Sequence, residues 1–267
     1  MRLVGEAKPP FSAEVSARMR HGGFLRDAEL ADNRWFGVSP GEAAAMDPQQ
    51  RLLLERGYAA LHDSGLSRPE LLGRVIAVNV GQWASEFAGV LMQSPAGSSV
   101  YASTGFSCSV TCGRVSFVLG LQGPCVSHDT ACSASLVAQH SSTRALQRFE
   151  CERAVSAGVN MLLDPMTMRG NAIAGFTSVA GRSHTFDVRA DGYARGEAID
   201  VIVSQLYRGD AEAAAEVKGS AVRQDGRSAS LTAPNGSSQE ALLRRALAEA
   251  GIEPGAIARC AGCALLW

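Results

Sequence analysis

Residues 133–149 read as a helix with almost no bulk along its first half, where Ser133, Ala134, Ser135, Ala138, Ser141 and Ser142 fall. A helix so bare can approach a neighbouring element closely, so it belongs at the centre of a fold and not on its surface. It follows Gly123-Pro124 and then Cys125-Val126-Ser127-His128-Asp129, a short run with strand character. Strand, tight turn and small helix in that order predict a layered structure with this helix laid against other elements.

The rest of the chain repeats the alternation. Asp47-Pro48-Gln49-Gln50 supplies an N-cap, a proline at the first helical position and a glutamine after it. Leu54, Tyr58 and Leu61 then recur at helical spacing until Asp63-Ser64-Gly65 stops the helix. Residues 74–80 (RVIAVNV) form a β-branched apolar run, the mark of a buried strand. A helix is expected over 111–119 and strands over 154–159 and 199–203, with 216–222 as an antiparallel partner of the last across Gly209-Asp210. Ser237 is expected to begin the last helix, which carries Glu240, Leu243 and Leu247 and closes at Gly251. Residues before Pro40 read as loops with short elements. The class is therefore α/β, a mixed sheet between helices, with no internal repeat.

Composition narrows the function classes. At 267 residues the chain can bury about three quarters of its unfolded surface. Charged residues are only 19% against 46% apolar, and there are 28 glycines, which points to a close-packed interior and a buried subunit face. Lys plus Arg (25) balances Asp plus Glu (26) and no basic run occurs, so no nucleic-acid partner is expected. The opening segment lacks a continuous apolar core and no stretch is long enough to cross a bilayer, which predicts a cytoplasmic or other soluble intracellular protein. The seven cysteines (Cys108, Cys112, Cys125, Cys132, Cys151, Cys260, Cys263) are too sparse for a disulfide scaffold and are expected reduced. Cys260 and Cys263 have the spacing of half a zinc site, but no second pair accompanies them, so no metal is expected.

Cys132 stands apart from the other cysteines. A thiol at the first turn of a helix, directly after a strand, lies where unpaired N–H groups and the helix dipole favour the anion. Such a thiolate can attack a thioester carbonyl and keep the acyl group, while nearby backbone N–H groups, that of Cys132 included, receive the oxyanion. The same residues also fit a buried structural cysteine at a close-packed helix start. Ser133 and Ser135 near His128 and Asp129 lack the spacing of a triad, and Asp129 reads as an acceptor for neighbouring backbone N–H groups.

Several motifs in order resemble one family. His21-Gly22-Gly23-Phe24-Leu25 is followed by Trp35-Phe36-Gly37-Val38-Ser39-Pro40 and then by Met46-Asp47-Pro48-Gln49-Gln50-Arg51. Asp129-Thr130-Ala131-Cys132-Ser133 comes next, then Phe186-Asp187 and Ala190-Asp191-Gly192-Tyr193-Ala194-Arg195-Gly196-Glu197. Gly219-Ser220-Ala221-Val222 and Leu231-Thr232-Ala233-Pro234-Asn235-Gly236 complete the series. In this order they resemble the amino-terminal half of a β-ketoacyl synthase, the ketosynthase domain of modular polyketide synthases and animal-type fatty acid synthases.

The resemblance implies a thiolase-like layered α/β/α/β/α fold, here its amino-terminal half and the start of the second, in a homodimer. It implies an acyltransferase without a bound cofactor, loaded from the phosphopantetheine arm of an acyl carrier protein or domain. Cys132 would hold the acyl thioester for decarboxylative condensation with a malonyl-type extender. The family completes that step with two histidines, one in a His-Gly-Thr-Gly-Thr motif and one in an Asn-Ile-Gly-His motif. His21, His62, His128, His140 and His184 lie in neither, so condensation by these residues alone is not expected. The corresponding division is a divergent leader over 1–20, a partial ketosynthase domain over 21–259 and an aberrant tail over 260–267. Arg223 stands where the family has asparagine, and Asp200 interrupts an apolar run. The alternative from another class is a non-catalytic ketosynthase-like interaction protein or a fragment without function.

Overall fold

The computed structural model describes residues 11–83, 85–207, 209 and 213–258. The tail pair Cys260 and Cys263 lies outside the described residues. The chain begins with α1 (Ala13–Arg18), α2 (Pro40–Ala45), α3 (Pro48–Asp63) and α4 (Arg68–Leu71), followed by β1 (Ile76–Gln82). Next come α5 (Phe87–Met92), α6 (Ala102–Gly105), α7 (Cys108–Leu119), β2 (Cys125–His128) and α8 (Ala134–Gln147). The order ends with β3 (Arg153–Asn160), α9 (Pro165–Ile173), β4 (Ala198–Ser204) and α10 (Gly236–Ala250).

The four strands form one sheet in the order β2-β1-β3-β4. β1 runs parallel to both β2 and β3, and β4 pairs antiparallel with β3. This is the mixed sheet between helices that the sequence predicts, with α3 and α7 on one face and α8 on the other. β1 lies between β2 and β3 and is covered on both faces, which is why its run is mostly apolar and buried throughout. On one face Ile76, Val78 and Val80 join Val155, Ala157 and Val159 against Leu53, Leu54 and Leu61 of α3 and Val115 of α7. Fully burying side chains of this kind contributes about 1.5–3 kcal/mol each.

The other face is built for close approach. Ala77, Ala154, Ala145, Leu146 and Cys151 form a small cluster there. Further along the strands, glycines take over. A Cβ on Gly81 would fall 2.3 Å from the Ser135 backbone nitrogen, and one on Gly158 would fall 2.7 Å from the Ser135 Cβ. Ala138 and Ser142 of α8 are fully buried against this surface. The bare helix is central, as its composition requires, and the sheet beneath it is equally bare.

α3 starts as its sequence directs. Asp47 caps it by accepting from the Gln49 N–H (2.8 Å), and Pro48 occupies the first turn. Gln50 is buried because its side chain accepts from Arg114 Nε of α7 (2.7 Å) and donates to the Thr104 carbonyl (3.1 Å). Two expectations need correction. Residues 216–222 form no strand, because Ser220 is held by α8: its hydroxyl lies 2.6 Å from His140 Nδ1, and its carbonyl accepts from Arg144 (2.9 Å). Gly219 meanwhile packs against Ala246 and Ala250 of α10, so the antiparallel partner of β4 is β3. The last helix begins at Gly236 and not at Ser237, capped by the Asn235 side chain, and the left-handed Gly251 closes it. Asp200 projects from the solvent-exposed side of β4.

Candidate active site at the carboxyl end of the sheet

The three parallel strands all end on one edge of the sheet, the edge where α/β folds gather their ligands. β2 leaves it at His128, and Asp129-Thr130 then lead into a tight turn over Ala131–Ser133 that opens α8. Cys132 sits in that turn and is exposed. Its predecessor Ala131 has a φ of 52°, a left-handed conformation that costs an alanine about 1–2 kcal/mol. Neighbouring polar groups hold the turn in this shape. Asp129 Oδ1 accepts from the Ala131 N–H (3.2 Å), the backbone role expected of it, and the Ser133 hydroxyl donates to the Thr130 carbonyl (2.9 Å).

His128 and His140 are both tied into the scaffold. His128 Nε2 lies 3.1 Å from Asn79 Oδ1, and Asn79, buried on β1, donates to Ser142 of α8 (2.9 Å). That line of polar contacts locks β2, β1 and α8 together. His140 faces Ser220. Burial lowers the affinity of both imidazoles for a proton, and Arg144 adds to the effect at His140.

Residues far along the chain complete the surroundings of the thiol. Tyr193 is half-buried and close enough to Cys132 to feel its charge: burial first, and then a Cys132 thiolate, make the phenol harder to ionise. The position of Tyr193 is set by backbone pairing, its N–H donating to the Phe176 carbonyl (2.8 Å) and its carbonyl accepting from Ser178 (2.9 Å). Gly192 makes that pairing possible, since its φ is 135° and a Cβ there would sit 2.6 Å from the Phe176 carbonyl oxygen.

A buried ion pair fixes the loops around this edge. Arg195 Nη2 lies 2.7 Å from Glu86 Oε1, both side chains are 5% exposed, and the guanidinium stacks over the Trp83 ring at 5.4 Å. The second Glu86 oxygen accepts from the Leu163 and Asp164 N–H groups, both at 2.8 Å. Glu197 works in parallel, accepting from Leu25 (2.9 Å) and Leu162 (3.1 Å), while Gly23 exchanges backbone hydrogen bonds with Arg195 and Glu197. The motifs around Gly22-Gly23 and around Arg195 are thus one structural unit, joined to the segments that follow β1 and β3. α1 is attached here too, through Arg18 to the carbonyls of Thr177 (2.5 Å) and Asp191 (3.2 Å).

The sequence singled out Cys132 alone as a site residue. It contained the Tyr193 and Arg195 motif but no sign of what either residue meets, because Glu86 and Arg195 are 109 positions apart. Among the described residues no group of three His, Cys, Asp or Glu side chains could hold a metal ion.

Comparison with known proteins agrees with this architecture. The sequence model of the β-ketoacyl synthase N-terminal domain matches residues 3–207, and that of the C-terminal domain matches residues 214–263. A phenolphthiocerol/phthiocerol polyketide synthase protein of Mycobacterium tuberculosis is 41% identical over 240 residues, which are 88% of this chain and 16% of that protein. The pikromycin polyketide synthase component PikAII of Streptomyces venezuelae is 42% identical over 252 residues, 93% of this chain and 7% of that one. Among solved structures, the ketosynthase from module 6 of the bacillaene synthase of Bacillus subtilis superimposes with a TM-score of 0.77 at 33% identity, over 87% of this chain and 40% of the other. An oxazolomycin ketosynthase domain from Streptomyces albus gives 0.79 at 32%, over 87% of this chain and 42% of the other. The chain spans well under half the length of each of these proteins. Its mixed sheet is that of the thiolase-like ketosynthases, and the chain belongs to the β-ketoacyl synthase family.

Proposed function

We propose that Cys132 is the acyl acceptor of a ketosynthase serving polyketide synthesis. The observation that carries this reading is the placement of Cys132: an exposed thiol on a left-handed turn between β2 and α8, at the edge where the parallel strands end. In the proposed step the Cys132 sulfur attacks the carbonyl carbon of an acyl thioester borne on the phosphopantetheine of an acyl carrier protein. The carbonyl π electrons move to oxygen, where backbone N–H groups of the turn, that of Cys132 among them, receive the charge. Collapse forms the Cys132 thioester and expels the pantetheine thiolate, which takes the proton that Cys132 gave up. Condensation of the stored acyl group with a decarboxylating malonyl-type extender is the second half of the family's cycle. His128 and His140, held by Asn79 and Ser220, are assigned no part in it. The functional partner is an acyl carrier protein or domain, and the working unit a homodimer. The portion carrying this chemistry is assigned to residues 21–259.

Incubation of the folded chain with an acyl N-acetylcysteamine thioester, followed by intact-mass and peptide analysis, tests the first step. One acyl group should appear on Cys132, and Cys132→Ser should not be acylated. Folded protein that takes up no acyl group, or an adduct that persists in the serine variant, would overturn the assignment.

A further inference from the structure

Three thiols outside the proposed chemistry gather where α7 lies against β2. Cys108 and Cys112 are one turn apart on α7, and Cys125 opens β2, the edge strand of the sheet. Cys125 is exposed, whereas Cys112 beneath it is 3% exposed. The side chain of Ser116, one turn beyond Cys112, donates to Cys125 Sγ at 3.4 Å. Cys125 therefore sits over the turn between Cys112 and Ser116, on the side of Cys112 away from Cys108. The Cys112 and Cys125 thiols are neighbours there, close enough to interact. That contact lowers the Cys112 thiol to about 6 and raises Cys125. Burial pushes Cys108 the other way, upward. Cys151 belongs to the small cluster on the α8 face of the sheet and cannot join them.

We propose that Cys112 and Cys125 form a redox-active dithiol, which a small-molecule disulfide oxidises to an intramolecular disulfide bond between α7 and β2. The exposed Cys125 thiol gives its proton to the neighbouring Cys112 thiolate as its sulfur attacks one sulfur of the oxidant; the oxidant's S–S bond breaks, one thiolate leaves, and a mixed disulfide remains on Cys125. Cys112, its proton lost to solvent, then attacks Cys125 Sγ as the thiolate, forming the Cys112–Cys125 bond and expelling the second thiolate. The two protein thiols together lose two electrons and two protons, and the oxidant becomes two thiols. Exposure suits Cys125 to the first step, and burial beside it suits Cys112 to the second. The new bond would fasten the strand that leads into Cys132 to the helix behind it.

The test uses the full chain, reduced and then incubated with oxidised glutathione at mildly alkaline pH. Trypsin cuts after Arg114 and so separates Cys112 from Cys125 unless a disulfide joins them. We expect a protein lighter by two hydrogens, with no retained glutathione on the pair and with fragment ions placing the link at Cys112 and Cys125. Cys112→Ser and Cys125→Ser should each abolish the link, and Cys125→Ser should also remove the intermediate glutathione adduct. Cys108→Ser and Cys132→Ser should leave the link in place. Persistent glutathione on Cys125 without closure, or a link that maps to Cys108 or Cys132, would overturn the proposal. The wild-type map alone decides this, even if a variant fails to fold.

Discussion

Ala131 pays a conformational penalty next to the thiol, and the penalty can be measured. Glycine adopts a positive φ without the Cβ clash, although it also enlarges the unfolded ensemble, so Ala131→Gly should stabilise the chain by a net ~0.5–1 kcal/mol in urea unfolding. If the left-handed turn also serves to present Cys132, the same variant should acylate more slowly despite its greater stability. The two half-buried histidines give a pH dependence whose sign is fixed. Their folded proton affinity is lowered, so the unfolded chain binds more protons once the pH drops toward the ordinary histidine value of 6.5. Stability contributed by keeping them neutral is complete above 6.5, declines as the pH falls through it, and stops declining below their folded values. Urea midpoints recorded between neutral and mildly acidic pH should follow that course, with a smaller decline in His128→Gln and His140→Gln than in the parent.

At the scale of elements, the decisive contact is α8 on the sheet. The smallness of α8 is legible in the sequence, and so is the consequence that it packs centrally. The matching bareness of the strands is not, because Gly81 and Gly158 lie in different segments and only the parallel register of β1 with β3 sets them side by side under Ser135. An alanine at Gly81 would meet helix backbone, which cannot step aside as the end of a flexible side chain can. Gly81→Ala should therefore destabilise by about 3 kcal/mol or more in chemical denaturation, near the upper end for overpacking. The misplaced strand over 216–222 has the opposite origin. Its local pattern is compatible with a strand, but Ser220 and Gly219 find partners on α8 and α10, and tertiary hydrogen bonds outrank local preference.

Across the whole molecule, the Glu86–Arg195 pair binds the segment after β1, the segment after β3 and the Tyr193–Glu197 stretch into one edge. Removing one partner leaves a buried charge uncompensated, so Glu86→Ala should cost about 3–5 kcal/mol. A Glu86→Leu, Arg195→Met double variant removes both charges and should recover much of that loss. Its acylation rate would then report what the pair does for the site apart from stability. Among the described residues no helix is long and apolar enough to cross a membrane.

By itself the sequence determined the class of fold, most element positions, the caps of α3 and the close of α10, because these depend on residues within a turn or two of one another. It also singled out Cys132, since strand, turn and bare helix are contiguous around it. Only the tertiary structure decided that β4 pairs with β3, that Tyr193 comes within electrostatic reach of Cys132, that Glu86 meets Arg195 and that Cys112 neighbours Cys125. Each of these joins different elements of the chain, and the packing and electrostatics that bring them together act through space, where local pattern carries no record of the partner.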